Sequence, residues 1–396
     1  MRIWVVSRQT AQIILWSAIG LMVLGSIFSG YFFQQQMTAG HLVRQQYPPL
    51  VYFSADRKGP ALCAGAAVLI EVTSGAVLYM KNAEQRRAPA STTKIMTAIV
   101  ALEKGNLNQV VKVSRRAAIT GGSTIWLKKG QRLVLKELLE GMMLRSGNDG
   151  SIAVAEGVAG STAAFVKLMN LKAKELGALN TNFRNPHGLR APSHYTTALD
   201  LAIITRYALG NHRFAKLVRT KTACLEWVEG AKQVEIRNTN RLLWALQGVD
   251  GVKTGTTNEA GHCLVASATR DGKKFVAVVL NSCNRWNDCT KLLEYGFENF
   301  SIVKLAASNH PVKRIPVIGS KTVSISLYPR NDLTAVVEKG TENMLKTEIR
   351  IFKSPVKAPL VPGQALGKIS YRYQGQFVEG VDLINLAPVK RRWFWW

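Results

Sequence analysis

The stretch Ala88–Glu103, APASTTKIMTAIVALE, decides how the rest of the chain is read. Apolar residues at Ile95, Met96, Ile99, Val100 and Leu102 recur at helical spacing and predict a helix over Thr92–Lys104. Pro89, just upstream, suits its start. Ser91 and Lys94 stand three residues apart, so on a helix they share a face. A serine hydroxyl is a weak nucleophile that needs an adjacent base. Near a helix N-terminus it also feels the positive end of the dipole, which favours a developing alkoxide. Lys94 can be that base only if burial or a second cation lowers its pKa.

Two further short motifs follow. Ser146-Gly147-Asn148 separates segments that read as helices, Leu133–Leu144 and Ser151–Val158, and Lys253-Thr254-Gly255 falls in a β-prone run, Val249–Thr254. Each is common alone: S-x-x-K arises by chance, S-G-N is a turn signal, and K-T-G fits any basic strand. Their joint occurrence in fitting contexts is informative. Lys253 is the natural second cation beside Lys94, and Ser146 could bridge the two amines as a proton relay. Lys253 and Thr254 would hold a substrate carboxylate, Asn148 would line the cleft, and Gly255 would let a substrate backbone approach. The N–H groups of Ser91 and Thr256 could form an oxyanion hole, worth about 3–4 kcal/mol per donor in the best-studied case.

Outward from these motifs, Ala64–Met80 reads as a hairpin around Thr73-Ser74-Gly75. Ala163–Leu176 and Ala198–Leu209 read as amphipathic helices, Gly261–Thr269 and Lys274–Ser282 as strands, and Lys291–Phe300 as a closing helix. Strands flanking a block of helices imply an α+β fold: an antiparallel sheet flanked by helices, with an inserted helical subdomain. From about Val312, short β-prone runs (Val323–Tyr328, Thr334–Val337, Thr347–Phe352, Lys368–Tyr373, Gln376–Val381) predict a small all-β domain.

The chain has 396 residues, 47% of them apolar, so disorder is excluded and two or three domains are expected. Lys and Arg number 52 against 25 Asp and Glu, a net charge of +27 that predicts anionic partners. No charged residue lies between Arg8 and Arg44, and within that gap Ile13–Phe33 is mostly apolar and long enough to span a bilayer. Behind Arg2 and Arg8 it reads as an export signal or a retained anchor, the latter favoured by its length. Export argues against nucleic acid as the anionic partner, as does the lack of any nucleic-acid-binding motif. Anionic wall polymers and lipid headgroups remain. The five Cys (63, 224, 263, 283, 289) form no C-x-x-C pair. Cys283 and Cys289 could close a small loop if the compartment is oxidising. Isolated core thiols are the plainer expectation.

The three motifs together resemble those of the serine-type D-Ala-D-Ala carboxypeptidases, the low-molecular-mass penicillin-binding proteins. Gly141–Ser161, Phe183–Leu189, His194–Leu201, Asn238–Leu243, Gly248–Thr257 and Cys263–Ala268 are also similar to family segments. The resemblance implies organisation as 1–40 signal or anchor, 41–60 linker, 61–303 peptidase domain, 312–388 β-rich domain and 389–396 basic-aromatic tail. It implies an acyl-enzyme on Ser91 with Lys94 as base, and Ser146 and Asn148 in the cleft. Lys253, Thr254 and Gly255 would bind the terminal D-Ala, with Thr256 as second oxyanion donor. The expected substrate is the peptidoglycan stem pentapeptide, β-lactams are the expected covalent inhibitors, and neither metal nor other cofactor is required. Arg285 is a candidate carboxylate support, while His187 and Asp200 are expected to be structural. Cys263, beside the K-T-G strand, could be inert or oxidised. The tail Lys390–Trp396 is too short for an amphipathic membrane helix but suits an interface.

Three alternatives share these residues. A β-lactamase of the kind that activates water with an added Glu is disfavoured, because Asn182–Pro192 contains no Glu or Asp. Endopeptidase cleavage of cross-links attacks the same D-Ala carbonyl. A non-catalytic wall-binding protein would not need the complete trio.

Overall fold

The computed structural model describes residues 50–52, 59–228, 233–373 and 376–392. The apolar segment Ile13–Phe33 and the final Trp393–Trp396 lie outside the described residues. Among those described, no single helix is long and apolar enough to cross a membrane.

Ala66–Glu71 is buried at every position. Side chains alternate across a strand, so both faces of its sheet must be covered, and they are. Ala66, Val68 and Ile70 pack against a helical cluster. Ala67 and Leu69 pack against the helix Arg285–Asn299. The sheet runs in the order Val51–Tyr52, Ala76–Lys81, Ala66–Glu71, Lys273–Ser282, Gly261–Arg270, Val249–Thr257. All neighbours are antiparallel except the short first strand, which is parallel to the second. The expected hairpin at 73–75 is closed by Glu71, whose carboxylate accepts from the N–H groups of Thr73 (2.9 Å) and Ser74 (2.6 Å). The strand carrying Lys253-Thr254-Gly255 is an edge strand.

Between the sheet strands Ala76–Lys81 and Val249–Thr257 in sequence lies the helical block: Lys94–Lys104, Leu135–Leu144, Asn148–Ala159, Thr162–Glu175 and Ala198–Leu209. The helix after Ser146 begins at Asn148 rather than Ser151, and the last helix of this region begins at Arg285 rather than Lys291. In the latter, Asn284 caps the N–H of Asn287 (3.2 Å), a polar start that apolar spacing does not reveal. The helix His212–Arg219 and the hairpin Thr222–Glu226 with Gln233–Arg237 were not expected. Both are short and rich in charge.

Cys63 and Cys283 form a disulfide across 220 residues, with Cα atoms 5.8 Å apart. This corrects the Cys283–Cys289 loop, and the expectation of isolated core thiols holds for Cys263 and Cys289 but not for Cys63 and Cys283. The register pairs Leu280 with Ala66, so Cys63 and Cys283 meet at one end of adjacent strands. Cys289 instead faces the core from the helix Arg285–Asn299. Asp288 secures this corner: its buried carboxylate accepts from Ala64 N–H (2.8 Å), Cys63 N–H (3.2 Å) and the Ser282 hydroxyl (2.7 Å). Cys263 and Cys289 are free and buried, and burial pushes the Cys263 thiol up to about 11. That thiol is therefore unreactive.

Toward the C-terminus the strands form a second six-stranded sheet, ordered Leu345–Ile351, Ala365–Tyr373, Gln376–Ile384, Ser324–Pro329, Lys313–Ile318, Val356–Lys357. Leu327, Ile369, Tyr371 and Leu383 lie in its own core. Phe300–Ala306, a strand the sequence pattern does not suggest, follows directly from the preceding helix and pairs with Leu333–Glu338, the β-run expected at Thr334–Val337.

Candidate active site

Ser91 sits in a 3-10 turn, Ala90–Thr93, which runs straight into the helix Lys94–Lys104. The turn is locked by its own threonines. Thr92 Oγ1 donates to the Pro89 carbonyl (2.6 Å) and Thr93 Oγ1 to the Ala90 carbonyl (2.9 Å). Ala90 has φ 47, a left-handed conformation that non-glycine residues rarely adopt. Two glycines make room for this turn. A Cβ on Gly188 would collide with the Ala90 carbonyl, and one on Gly255 would lie 3.0 Å from the Ser91 nitrogen and 3.1 Å from the Pro89 carbonyl. Gly255 is thus needed first for the serine turn itself, not only for a substrate backbone.

The structure brings Ser91, Lys94 and Asn148 together. Lys94 is wholly buried, and its Nζ lies 2.9 Å from Ser91 Oγ, 2.7 Å from Asn148 Oδ1 and 2.8 Å from the His187 carbonyl. Asn148 is oriented by its own Nδ2, which donates to the Gly121 carbonyl (2.8 Å), so Oδ1 faces the lysine. Oδ1 and the His187 carbonyl can only accept. A neutral amine has two protons and one lone pair. Both protons are therefore claimed, and the lone pair is left facing Ser91 Oγ. Burial, reinforced by the nearby Lys253, holds the Lys94 pKa well below that of an ordinary lysine, which favours this neutral form.

Lys253 is also fully buried. Desolvation, with Arg285 nearby, brings its pKa down to about 7, and its Nζ donates to the Thr254 carbonyl (3.1 Å). Thr254 Oγ1 shares a hydrogen bond with Thr239 Oγ1 (2.7 Å). Thr256 is exposed at the end of the strand, where its Oγ1 accepts from Arg285 Nη1 (2.7 Å). The same Arg285 nitrogen donates to the Gly255 carbonyl (2.8 Å). Arg285 therefore braces the strand directly. Ser146 is buried with φ 67, yet its hydroxyl bonds neither amine. Lys94 already has three partners, so the expected bridge is not formed in this state.

Several supporting residues carry no motif signal. Buried Asp149 accepts from the N–H groups of Ile125 (3.1 Å), Leu127 (3.0 Å) and Gly150 (2.8 Å), tying the loop at 121–127 to the helix that carries Asn148. Burial raises its pKa against these bonds. His194 Nδ1 accepts from Arg184 N–H (3.0 Å), so its Nε2 carries the proton toward Thr93 Oγ1 (3.0 Å). Burial lowers His194 to about 4 and His187 to about 3, so both are neutral struts. Asp200 accepts from Thr181 Oγ1 (2.6 Å) beneath the site, a structural contact. His187 and Asp200 take the structural places expected of them; His194 lies in a segment that could have signalled it, and Asp149 is visible only as the residue after Asn148.

A serine hydroxyl facing a desolvated amine, beside a second buried amine on an edge strand, is the equipment of an active-serine enzyme. Comparison with known proteins narrows the class. Residues 54–284 match the family described as D-alanyl-D-alanine carboxypeptidase, and residues 300–391 match the penicillin-binding protein 5 C-terminal domain. The chain is 40% identical over 340 residues to D-alanyl-D-alanine carboxypeptidase DacF of Bacillus subtilis, covering 84% of this chain and 87% of that protein. It is 34% identical to DacC of Escherichia coli, covering 86% and 88%. Among solved structures, penicillin binding protein 5 from Haemophilus influenzae superposes with a TM-score of 0.75 at 30% identity, covering 85% of this chain and all of that one. The chain belongs to the D-alanyl-D-alanine carboxypeptidase family, and its fold is that of the penicillin-binding protein 5 group.

Proposed function

We propose that this chain removes the terminal D-alanine from peptidoglycan stem pentapeptides through an acyl-enzyme on Ser91. The observation that carries this reading is the fully buried Lys94 amine 2.9 Å from Ser91 Oγ, with two acceptor oxygens on its other sides and its pKa lowered by burial. Ser91 Oγ attacks the carbonyl of the penultimate D-Ala as Lys94 accepts its proton. The tetrahedral oxyanion is held by the N–H groups of Ser91 and Thr256. As the C–N bond breaks, Lys94 returns the proton to the leaving D-Ala nitrogen, directly or through Ser146. Water then attacks the ester, again with Lys94 as base, and releases the shortened peptide. Lys253, Thr254 and the Arg285-braced strand end hold the terminal carboxylate. Asn148 keeps Lys94 aimed.

β-Lactams would acylate Ser91 by the same route and leave slowly, since Asn182–Pro192 offers no carboxylate to activate water. The work of such an enzyme lies outside the cytoplasm, and the Cys63–Cys283 disulfide fits an oxidising compartment. Anchoring by Ile13–Phe33, with the basic-aromatic tail meeting the membrane or acidic wall polymers, completes the reading. Incubating the protein with a soluble stem pentapeptide tests it. Free D-Ala is expected from wild type and none from Ser91→Ala. Cleavage of cross-linked dimers with no release of D-Ala would favour endopeptidase action instead.

A further inference from the structure

Three indole rings near the proposed cleft each carry a guanidinium group. Arg237 lies over Trp244 (4.4 Å to the ring centre), Arg145 over Trp126 (5.1 Å) and Arg241 over Trp286 (5.9 Å). None of these three arginines has a carboxylate partner among the described residues. All three are exposed. Stacking occupies the flat face of a guanidinium and leaves its N–H edge open, the edge that grips carboxylates in pairs of hydrogen bonds.

The pairs are tied to the proposed catalytic elements. Thr239, between Arg237 and Arg241, bonds through its hydroxyl to Thr254 of the K-T-G strand (2.7 Å) and through its N–H to the Leu144 carbonyl (3.0 Å), beside Arg145. Trp286 follows Arg285, which holds Thr256. Trp126 is held at φ 60, unusual for a bulky residue, and is 53% exposed. The N–H groups on either side of it, of Ile125 and Leu127, are both clamped by buried Asp149. Backbone strain of this kind persists only where surrounding bonds enforce it.

We infer that these stacked arginines form a binding surface for the carboxylate-bearing peptidoglycan strand to which the scissile peptide is attached. A lipid surface would also suit Trp beside Arg, but the continuity with Thr254 and Thr256 places this surface where the rest of the substrate must lie. The inference rests on the proposed carboxypeptidase reading for its ligand.

The test uses the full chain and sacculi stripped of phosphodiester polymers by hydrofluoric acid. Wild type should sediment with them, and R237Q/R241Q should need about tenfold more sacculi for the same bound fraction. Release of D-Ala from a soluble pentapeptide should stay within twofold, which also shows that the variant folds. Wild-type binding should weaken with added salt. Equal loss on both substrates, unchanged sedimentation of the variant, binding that vanishes on stripping, or patch-dependent binding to phosphatidylglycerol vesicles in place of sacculi would each overturn the inference. Wild type that sediments normally but releases no D-Ala from any peptide would instead refute the carboxypeptidase reading.

Discussion

At Lys94 the decisive quantity is the protonation state of one amine. Asn148 contributes a neutral carbonyl oxygen 2.7 Å from Nζ. Replacing it by a carboxylate in Asn148→Asp would favour the ammonium and raise the Lys94 pKa. The acid limb of the acylation profile should then move up by about one pH unit or more, with activity recovering at high pH. A stopped-flow profile with a chromogenic β-lactam measures this. An unshifted limb would mean that Lys94 is not the base. Gly255→Ala is the steric counterpart. Its Cβ would press on the Ser91 nitrogen at 3.0 Å, so acylation should fall on the order of 100-fold, the scale of a misplaced reacting group, while the melting temperature changes little. Wild-type acylation in this variant would show that the serine turn tolerates displacement.

At the scale of elements, the loops under the serine turn are held by two neutral histidines. Folding lowers His187 to about 3 and His194 to about 4, so the unfolded chain binds protons there that the native state does not. Their contribution is complete above about pH 6.5 and declines as pH falls toward those values. By pH 5 the loss should be about 2 kcal/mol for each. Urea titrations at pH 7 and pH 5 check it, and equal stability at the two would refute the assignment. These struts also show the limits of reading by motif. Ser91, Lys94, Asn148, Lys253, Thr254 and Gly255, the residues of the proposed chemistry, stand out in the sequence because each proposed role demands a residue type within a short pattern. The helices and strands nearest them were legible from apolar spacing. Asp149, Thr93 and Thr239 act through contacts made by distant segments, which no local pattern encodes. Gly255 was legible but for an incomplete reason, since its tightest neighbour is the enzyme's own turn.

For the whole molecule, the Cys63–Cys283 bond closes nearly all of the chain between the first and last long strands of the central sheet. The cysteines' sequence spacing offers Cys289 as a partner only if the compartment is oxidising and favours isolated thiols, and the antiparallel register reveals the true partner. Cys63→Ser/Cys283→Ser should lower stability by about 2–5 kcal/mol, read as a drop in denaturation midpoint. No change would mean that the corner is held by Asp288 alone. The net charge of +27 finds a local expression in the arginines around the proposed cleft that have no carboxylate partner among the described residues, while the proposed chemistry itself uses only Lys94, Lys253 and the brace at Arg285. All of this rests on Ser91 being the group that is acylated. Intact-mass analysis after exposure to benzylpenicillin tests that most directly. One penicilloyl adduct on the wild-type protein, mapping to the peptide containing Ser91 and absent from Ser91→Ala, is the predicted result. An adduct of equal yield on Ser91→Ala, or none on wild type, would contradict it.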